Sequence, residues 1–243
     1  MHLEPERGPE TDFRWRGRDV TRLEAVSDAV FALALTLVML ADGVPSKLSQ
    51  LRAVFEQILP LGISFTIVGM IWHAHYLFFR RYGLRDGWSA FLNGVLMFLV
   101  LLFAYPMKLL FGMLCEVLFG FGSRVPIREI FDAEFPLLIV YSLGFAAIYL
   151  VIALLYRHAW AQRDRLALDE FECAITRQYH QSSWILAGFG LLSATLAAVL
   201  PDRLQGIAGW LYFGIGPAMG VHAWRWGVRR ARLRAARSDS AVA

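Results

Sequence analysis

The chain has 243 residues, 57% of them hydrophobic and only 18% charged, and its mean hydropathy is +0.48. Ordinary soluble domains run near a quarter charged and under half apolar, so this composition excludes a typical soluble enzyme and points to an integral membrane protein. The 24 Lys and Arg against 20 Asp and Glu leave a net charge of +4, but no soluble basic domain collects that excess, and nucleic acid is not an expected partner.

In chain order, residues 1–20 hold Pro5, Gly8, Pro9 and several charges, which suits a flexible cytoplasmic arm. No short apolar core with a small-residue cleavage site precedes the first span, so a cleaved signal peptide is not expected. The first predicted span, 23–41, follows a charged turn at Arg22 and carries Ser27 and Asp28 inside an otherwise apolar run. Asp42, Gly43, Pro45 and Ser46 end it, and a short helical segment over 47–56 is expected at the outer surface. Further spans are predicted at 58–79, stopping at Arg80 and Arg81, and at 89–115, where Pro106 kinks or ends the outer part. A mixed-charge loop over 116–134 leads to spans at 135–156, 183–200 and 204–228, with a tight turn at Pro201 and Asp202. Each run is near the ~20 residues that cross ~30 Å of hydrocarbon. The expectation is an all-α membrane protein: a six-helix transmembrane domain over 21–230, between the arm and a basic, flexible tail over 231–243.

Charge sets the orientation. With both termini in the cytoplasm, 18 of the 24 basic residues fall inside, in the arm, in Arg80–Arg85, in 157–177 and in 225–237. That asymmetry satisfies the positive-inside rule. It also puts Cys115 and Cys173 on opposite sides of the membrane, so no disulfide is expected between them.

Orientation then fixes depth. At ~1.5 Å per residue, Asp28 lies ~9 Å into the inner half of the first span. On the same scale His75 lies ~7–8 Å, and Trp72 and Asn93 ~12 Å, above the inner boundary. Ser27, Asp28, Trp72, His75 and Asn93 thus share one layer on three helices and are expected to form an interhelical polar belt. Around the first helix, Asp28 and Leu33 differ by ~140°. Leu33, Leu37 and Leu40 form one stripe, with Thr36 beside it. If Asp28 faces the bundle interior, the stripe faces either lipid or a symmetry axis shared by several subunits.

Arg22-x-x-x-Val26-Ser27-Asp28, followed by Phe31-Ala32 and Thr36-Leu37, resembles the R-x-x-x-F-S-D signature of the potassium channel family named for the lysosomal transmembrane protein 175. Trp72 with His75, and Asn93 with Pro106, also fall where that family has similar residues. Val26 stands where the family usually has Phe, and Leu33 where an isoleucine is common. The resemblance implies a bacterial homotetramer in the cell membrane, with first helices lining a central, potassium-permeable, leak-type pore. It implies a hydrophobic constriction of branched aliphatic side chains at Leu33, Leu37 and Leu40, with Thr36 close to it. It also implies that Arg22, Ser27 and Asp28 tie the helix base to Trp72, His75 and Asn93. The implied partners are potassium ions, membrane lipids and other copies of the chain, with no cofactor and no catalytic residues. No T-V-G-Y-G filter is present, so a carbonyl cage is excluded as the selectivity device.

Three other readings stay open on the residues. Asp28 and His75 could relay protons in a secondary transporter, although no internal repeat is visible. His75 and His222 could ligate haem. A membrane assembly protein without transport is the third. His73 and His75 do not share a helix face, and the cysteines match no metal spacing, so no metal site is expected. Gly216-x-x-x-Gly220 fits a close helix contact. Arg225–Arg237 reads as an anchor to lipid headgroups.

Overall fold

A computed structural model describes residues 13–40, 55–121, 137–201, 204 and 206–242. Most of the outer segment, the greater part of the loop over 116–134, the turn at Asp202 and the first twelve residues lie outside them. Among the described residues the chain is helical throughout, with no strand. The helices are α1 (Arg22–Leu40), α2 (Ile58–Tyr82), α3 (Gly87–Phe119), α4 (Leu137–Ala161), α5 (Glu170–Val199), α6 (Gly206–Trp210) and α7 (Ile215–Val242). Among the described residues five stretches are long and apolar enough to cross a membrane: α1, α2, Gly87–Ala104 of α3, α4 and α5.

Local chemistry starts and stops these helices. Thr21 and Glu24 form a reciprocal cap on α1, the Thr21 hydroxyl accepting from Glu24 N–H at 3.1 Å and the Glu24 carboxylate accepting from Thr21 N–H at 2.7 Å. Gly83 ends α2 in the left-handed region at φ 58°, and its N–H donates to Phe79 O at 2.8 Å. A Cβ at Gly83 would also meet the Arg16 backbone carbonyl carbon at 2.9 Å, so that position favours glycine twice over. Asp86 caps α3 by accepting from Ser89 N–H.

Three elements differ from the sequence expectation in their bounds. Pro106 lies inside α3, so of the two expected outcomes there the ending is excluded, and the helix runs on to Phe119, past the expected end at Cys115. Its 33 residues, at ~1.5 Å each, exceed the hydrocarbon thickness, so its outer turns extend past the bilayer core or the helix tilts. Helix α5 begins at Glu170 rather than near 183, because Asp169 and Glu172 make a capping box that starts a polar helical segment before the apolar run. Hydropathy registers only the apolar part. The expected span at 204–228 is divided into α6, a 3-10 turn at Leu211–Gly214 and α7. The backbone then stays helical to Val242, through most of the segment expected as a flexible tail.

Helices α1, α2 and α3 pack on one another, α4 and α5 form the most extensive pairing, and α3 against α4 joins the two groups. One apolar core runs through both, from Phe31 and Val38 through Phe78, Tyr82 and Leu96 to Ile152, Tyr156 and Ile175. Close helix approach occurs at Gly190, where a Cβ would stand 2.8 Å from Ser142 O and 2.9 Å from Ala146 N, and at Gly144 against the Phe103 ring. Gly216 and Gly220 have open space in place of a Cβ, so the expected G-x-x-x-G contact is not made among the described residues.

The break between α5 and α7 is held by a polar knot. The Ser193 hydroxyl donates to Ala208 O at 3.0 Å, freed by the helix break, and lies 3.0 Å from Ser142 Oγ. Tyr212 donates to the same Ser142 hydroxyl at 3.0 Å. Irregular backbone within a membrane protein needs such internal partners, because hydrocarbon offers none.

Candidate functional site

Helix α1 is two-sided. Ser27, Phe31, Ala34 and Val38 are its buried residues, the i, i+4, i+7, i+11 positions of a single stripe. On the other side Leu33, Leu37 and Leu40 are 50, 42 and 50% exposed in the single chain. Thr36 is exposed between them; its hydroxyl donates to Ala32 O at 2.8 Å, which leaves the oxygen lone pairs open.

The expected polar belt resolves into two separate pieces. The inner piece joins three helices. Asn93 of α3 donates through Nδ2 to Ser27 Oγ of α1 at 2.8 Å, and Ser27 Oγ in turn donates to Leu23 O at 2.8 Å. His75 of α2 lies with Nε2 2.7 Å from Asn93 Oδ1, which places the His75 proton on that nitrogen. All three side chains are at 2% exposure or less. The His75 ring is packed between Phe31 and Phe79, at 5.6 and 4.8 Å between centroids. The outer piece is a single bond, Trp72 Nε1 donating to Asp28 Oδ1 at 2.9 Å.

Asp28 is exposed and does not face the interior; Ser27 does. Consecutive helix residues stand ~100° apart, so only one of the pair can point inward, and the residue that bonds Asn93 took that place. Arg22 is exposed and makes no hydrogen bond or ion pair with either piece among the described residues. Its helical phase explains this: it lies ~240° from Asp28 and within ~20° of Leu33, on the leucine side of α1. No hydrogen bond among the described residues links Asp28 to His75; the two belong to separate pieces of the belt. His222 lies on α7 with Nε2 3.3 Å from Gln178 O, bonded within the second half of the chain.

The sequence reading missed a cluster at the end of the bundle where the arm lies. Phe13 is buried against Tyr82. Arg16 and Gly17 donate their N–H groups to Arg80 O at 3.2 and 3.1 Å. Glu172, fully buried, accepts from Arg16 Nη2 at 2.6 Å and from Arg14 N at 2.9 Å. Residues 13–17 of the arm are therefore docked, and they lead directly into α1. The Asp169-x-x-Glu172 capping pattern could have flagged the acid, but nothing in the sequence pairs it with arginines more than 150 positions away. Nearby, Asp86 at the head of α3 bonds His158 Nε2 at 2.9 Å and Gln162 Nε2 at 3.1 Å on α4 and just past its end. Partial burial pushes the Asp86 carboxyl up, but hydrogen bonds from His158, Ser89 N–H and Gln162 outweigh it and hold the group well below the usual carboxylate range.

Residues 22–104, which contain α1, α2 and the polar pieces, match the family described as "Endosomal/lysosomal potassium channel TMEM175". A protein of Marivirga tractuosa named "Potassium channel" is 34% identical over 221 residues, covering 87% of this chain and 90% of that protein. The chain belongs to the TMEM175 potassium channel family. A second relative, a protein of Chamaesiphon minutus named as a potassium channel, is 32% identical over 170 residues, 65% of this chain and 76% of that one. Among solved structures, a variant of the potassium channel MtTMEM175, crystallised with a nanobody fusion protein, superposes with a TM-score of 0.76 at 33% identity. The match covers 87% of this chain and 95% of that one. A lysosomal potassium-selective channel TMEM175 homolog from Chamaesiphon minutus gives a TM-score of 0.52 at 26% identity, covering 86% and 96%. The family consists of ion channels, not enzymes, and the multi-pass membrane reading agrees with it.

Proposed function

We propose that this chain assembles as a homotetramer in a prokaryotic cell membrane and conducts potassium passively through an axial pore lined by α1. Both termini lie in the cytoplasm in this reading, as the distribution of basic residues favours. The constriction is hydrophobic, formed by Leu33, Leu37 and Leu40, with the Thr36 hydroxyl offering lone pairs to water or an ion beside it. Such a ring gates by dewetting and selects weakly, through the cost of stripping water from the ion.

The observation that carries the proposal is the two-sided character of α1. One face is fully used inside the subunit, and an exposed leucine stripe at regular helical spacing lies ~120° around the helix from it. Asp28 adds support. An aspartate facing hydrocarbon costs ~2.5–3.5 kcal/mol at mid-bilayer, so an exposed Asp28–Trp72 edge suits a subunit contact or a wet vestibule rather than lipid.

Purified protein in a planar bilayer is expected to pass potassium current. Leu33→Ser is expected to raise conductance severalfold or to lower potassium-over-sodium selectivity. Currents unchanged by polar substitutions at Leu33, Leu37 and Leu40 would remove the pore assignment.

A further inference from the structure

Between α4 and the first turns of α5 lies a cavity of about 330 Å³, lined by Arg157, Trp160, Thr176, Arg177, His180 and Gln181. It opens near the end of the bundle that carries the docked arm: Thr176 is hydrogen-bonded to Glu172 O, one turn from the carboxylate that holds Arg14 and Arg16. No carboxylate is among the described residues that line it.

Its two guanidinium groups are uncommitted. Arg157 and Arg177 are exposed, and neither makes a hydrogen bond or ion pair among the described residues. Arg163, close by, shows the contrast: it pairs with Asp164 at 3.6 Å and donates to Trp160 O at 3.3 Å. Both guanidinium groups lie over the Trp160 ring, Arg163 at 5.3 Å and Arg177 at 4.4 Å from its centroid, but Arg177 has no hydrogen bond or ion pair beside the stack among the described residues. A guanidinium stacked in this way is held in place while its in-plane N–H donors stay free, an arrangement that matches phosphate oxygens. The remaining walls are already ordered. Thr176 is fixed by Tyr82, Gln181 accepts from Trp226 of α7 at 3.1 Å, and His180 accepts from Trp184 at 3.0 Å. Two unpaired cations would gain little by converging on a cavity without an acid unless an anion occupies it.

We infer that this cavity binds a phosphate group at the membrane surface, through Arg157 and Arg177. Basic pockets between transmembrane helices on the cytoplasmic side bind anionic headgroups on the same chemical grounds. The site is remote from the α1 stripe and does not depend on how ions cross.

The test uses the full chain, purified in a neutral detergent. Native mass spectrometry would record retention of phosphatidylglycerol against phosphatidylcholine, and thermal shift would be read with each lipid and with millimolar inorganic phosphate alone. The expected result is selective phosphatidylglycerol retention, falling about fivefold for each of Arg157→Gln and Arg177→Gln. Arg232→Gln, on α7 outside the cavity, is expected to leave it unchanged. A thermal shift with inorganic phosphate that depends on the same two arginines would identify soluble phosphate as the source and uphold the site. Should loss of the Trp160 stack destabilise the Arg177 variant, Arg157→Glu remains readable, because Arg157 supports no hydrogen bond or ion pair among the described residues. Retention that ignores both arginines, or equal retention of the two lipids with no phosphate effect, would overturn the inference.

Discussion

Asn93 occupies the point where three helices meet. Its amide is the one group in the inner polar piece that both donates and accepts across helix boundaries, to Ser27 on one side and from His75 on the other. Interhelical hydrogen bonds in membranes average about 0.6 kcal/mol, and a buried group left without its partner adds to the loss. Asn93→Ala is therefore expected to destabilise the fold by about 1–3 kcal/mol, visible as a lower thermal midpoint in detergent. An unchanged midpoint would mean that the three-helix junction is held by packing alone. The layer itself was legible from depth along each span. Which of two adjacent residues, Ser27 or Asp28, faces inward was not, because the hydropathy of neighbouring positions does not set the phase of a helix that is apolar nearly all round.

Two elements have properties that no single residue explains. The α4–α5 pair is the most extensive among the described residues, and Gly190, with no side chain, lets its two backbones approach. Gly190→Ala would set a Cβ 2.8–2.9 Å from backbone atoms that cannot rotate away, and is expected to cost about 1–3 kcal/mol in thermal or denaturant unfolding. The same change at Gly216, which faces open space, serves as the control and is expected to be nearly silent within the single chain. The docked arm is the second such element. Glu172→Gln would leave Arg14 and Arg16 without their anion; because both guanidinium groups reach solvent, the loss is about 1–3 kcal/mol. Trypsin is expected to cut the arm after Arg14, Arg16 or Arg18 much faster in that variant. Equal cleavage rates would show that Phe13 and the hydrogen bonds to Arg80 anchor the segment without the acid. The arm read as flexible because its sequence is polar and broken by Pro and Gly, yet Phe13 and two arginines find a buried cleft and a buried acid.

At the scale of the whole molecule, the N-terminal three helices and the C-terminal group meet along α3 and α4, and Asp86 is the charged tie at one end of that seam. Its carboxyl is held below the ordinary value of 3.8, so the folded form favours the charged state. The stabilisation is thus fully present above about pH 3.8 and is lost as the pH falls through the lower folded value. Asp86→Asn is expected to lower the thermal midpoint at neutral pH and to flatten the acid limb of its pH profile between pH 4 and 2. The group is partly exposed, so the effect is modest and screened by salt. A parallel acid limb in wild type and variant would assign that seam to apolar packing.

The sequence alone determined that the chain is helical and membrane-spanning, where most of the apolar runs lie, that a polar layer crosses the first three, and which family motif it carries. These follow from composition, run length and local spacing, which the bilayer reads directly. Only the tertiary structure decided that Ser27 rather than Asp28 faces inward, that Arg22 stands on the leucine side of α1, and that the last apolar run is divided at α6. It also decided that Glu172 receives the arm and that Arg157 and Arg177 share a cavity. Each of these depends on helix rotation or on partners distant in sequence, and neither is encoded in the hydropathy of a run.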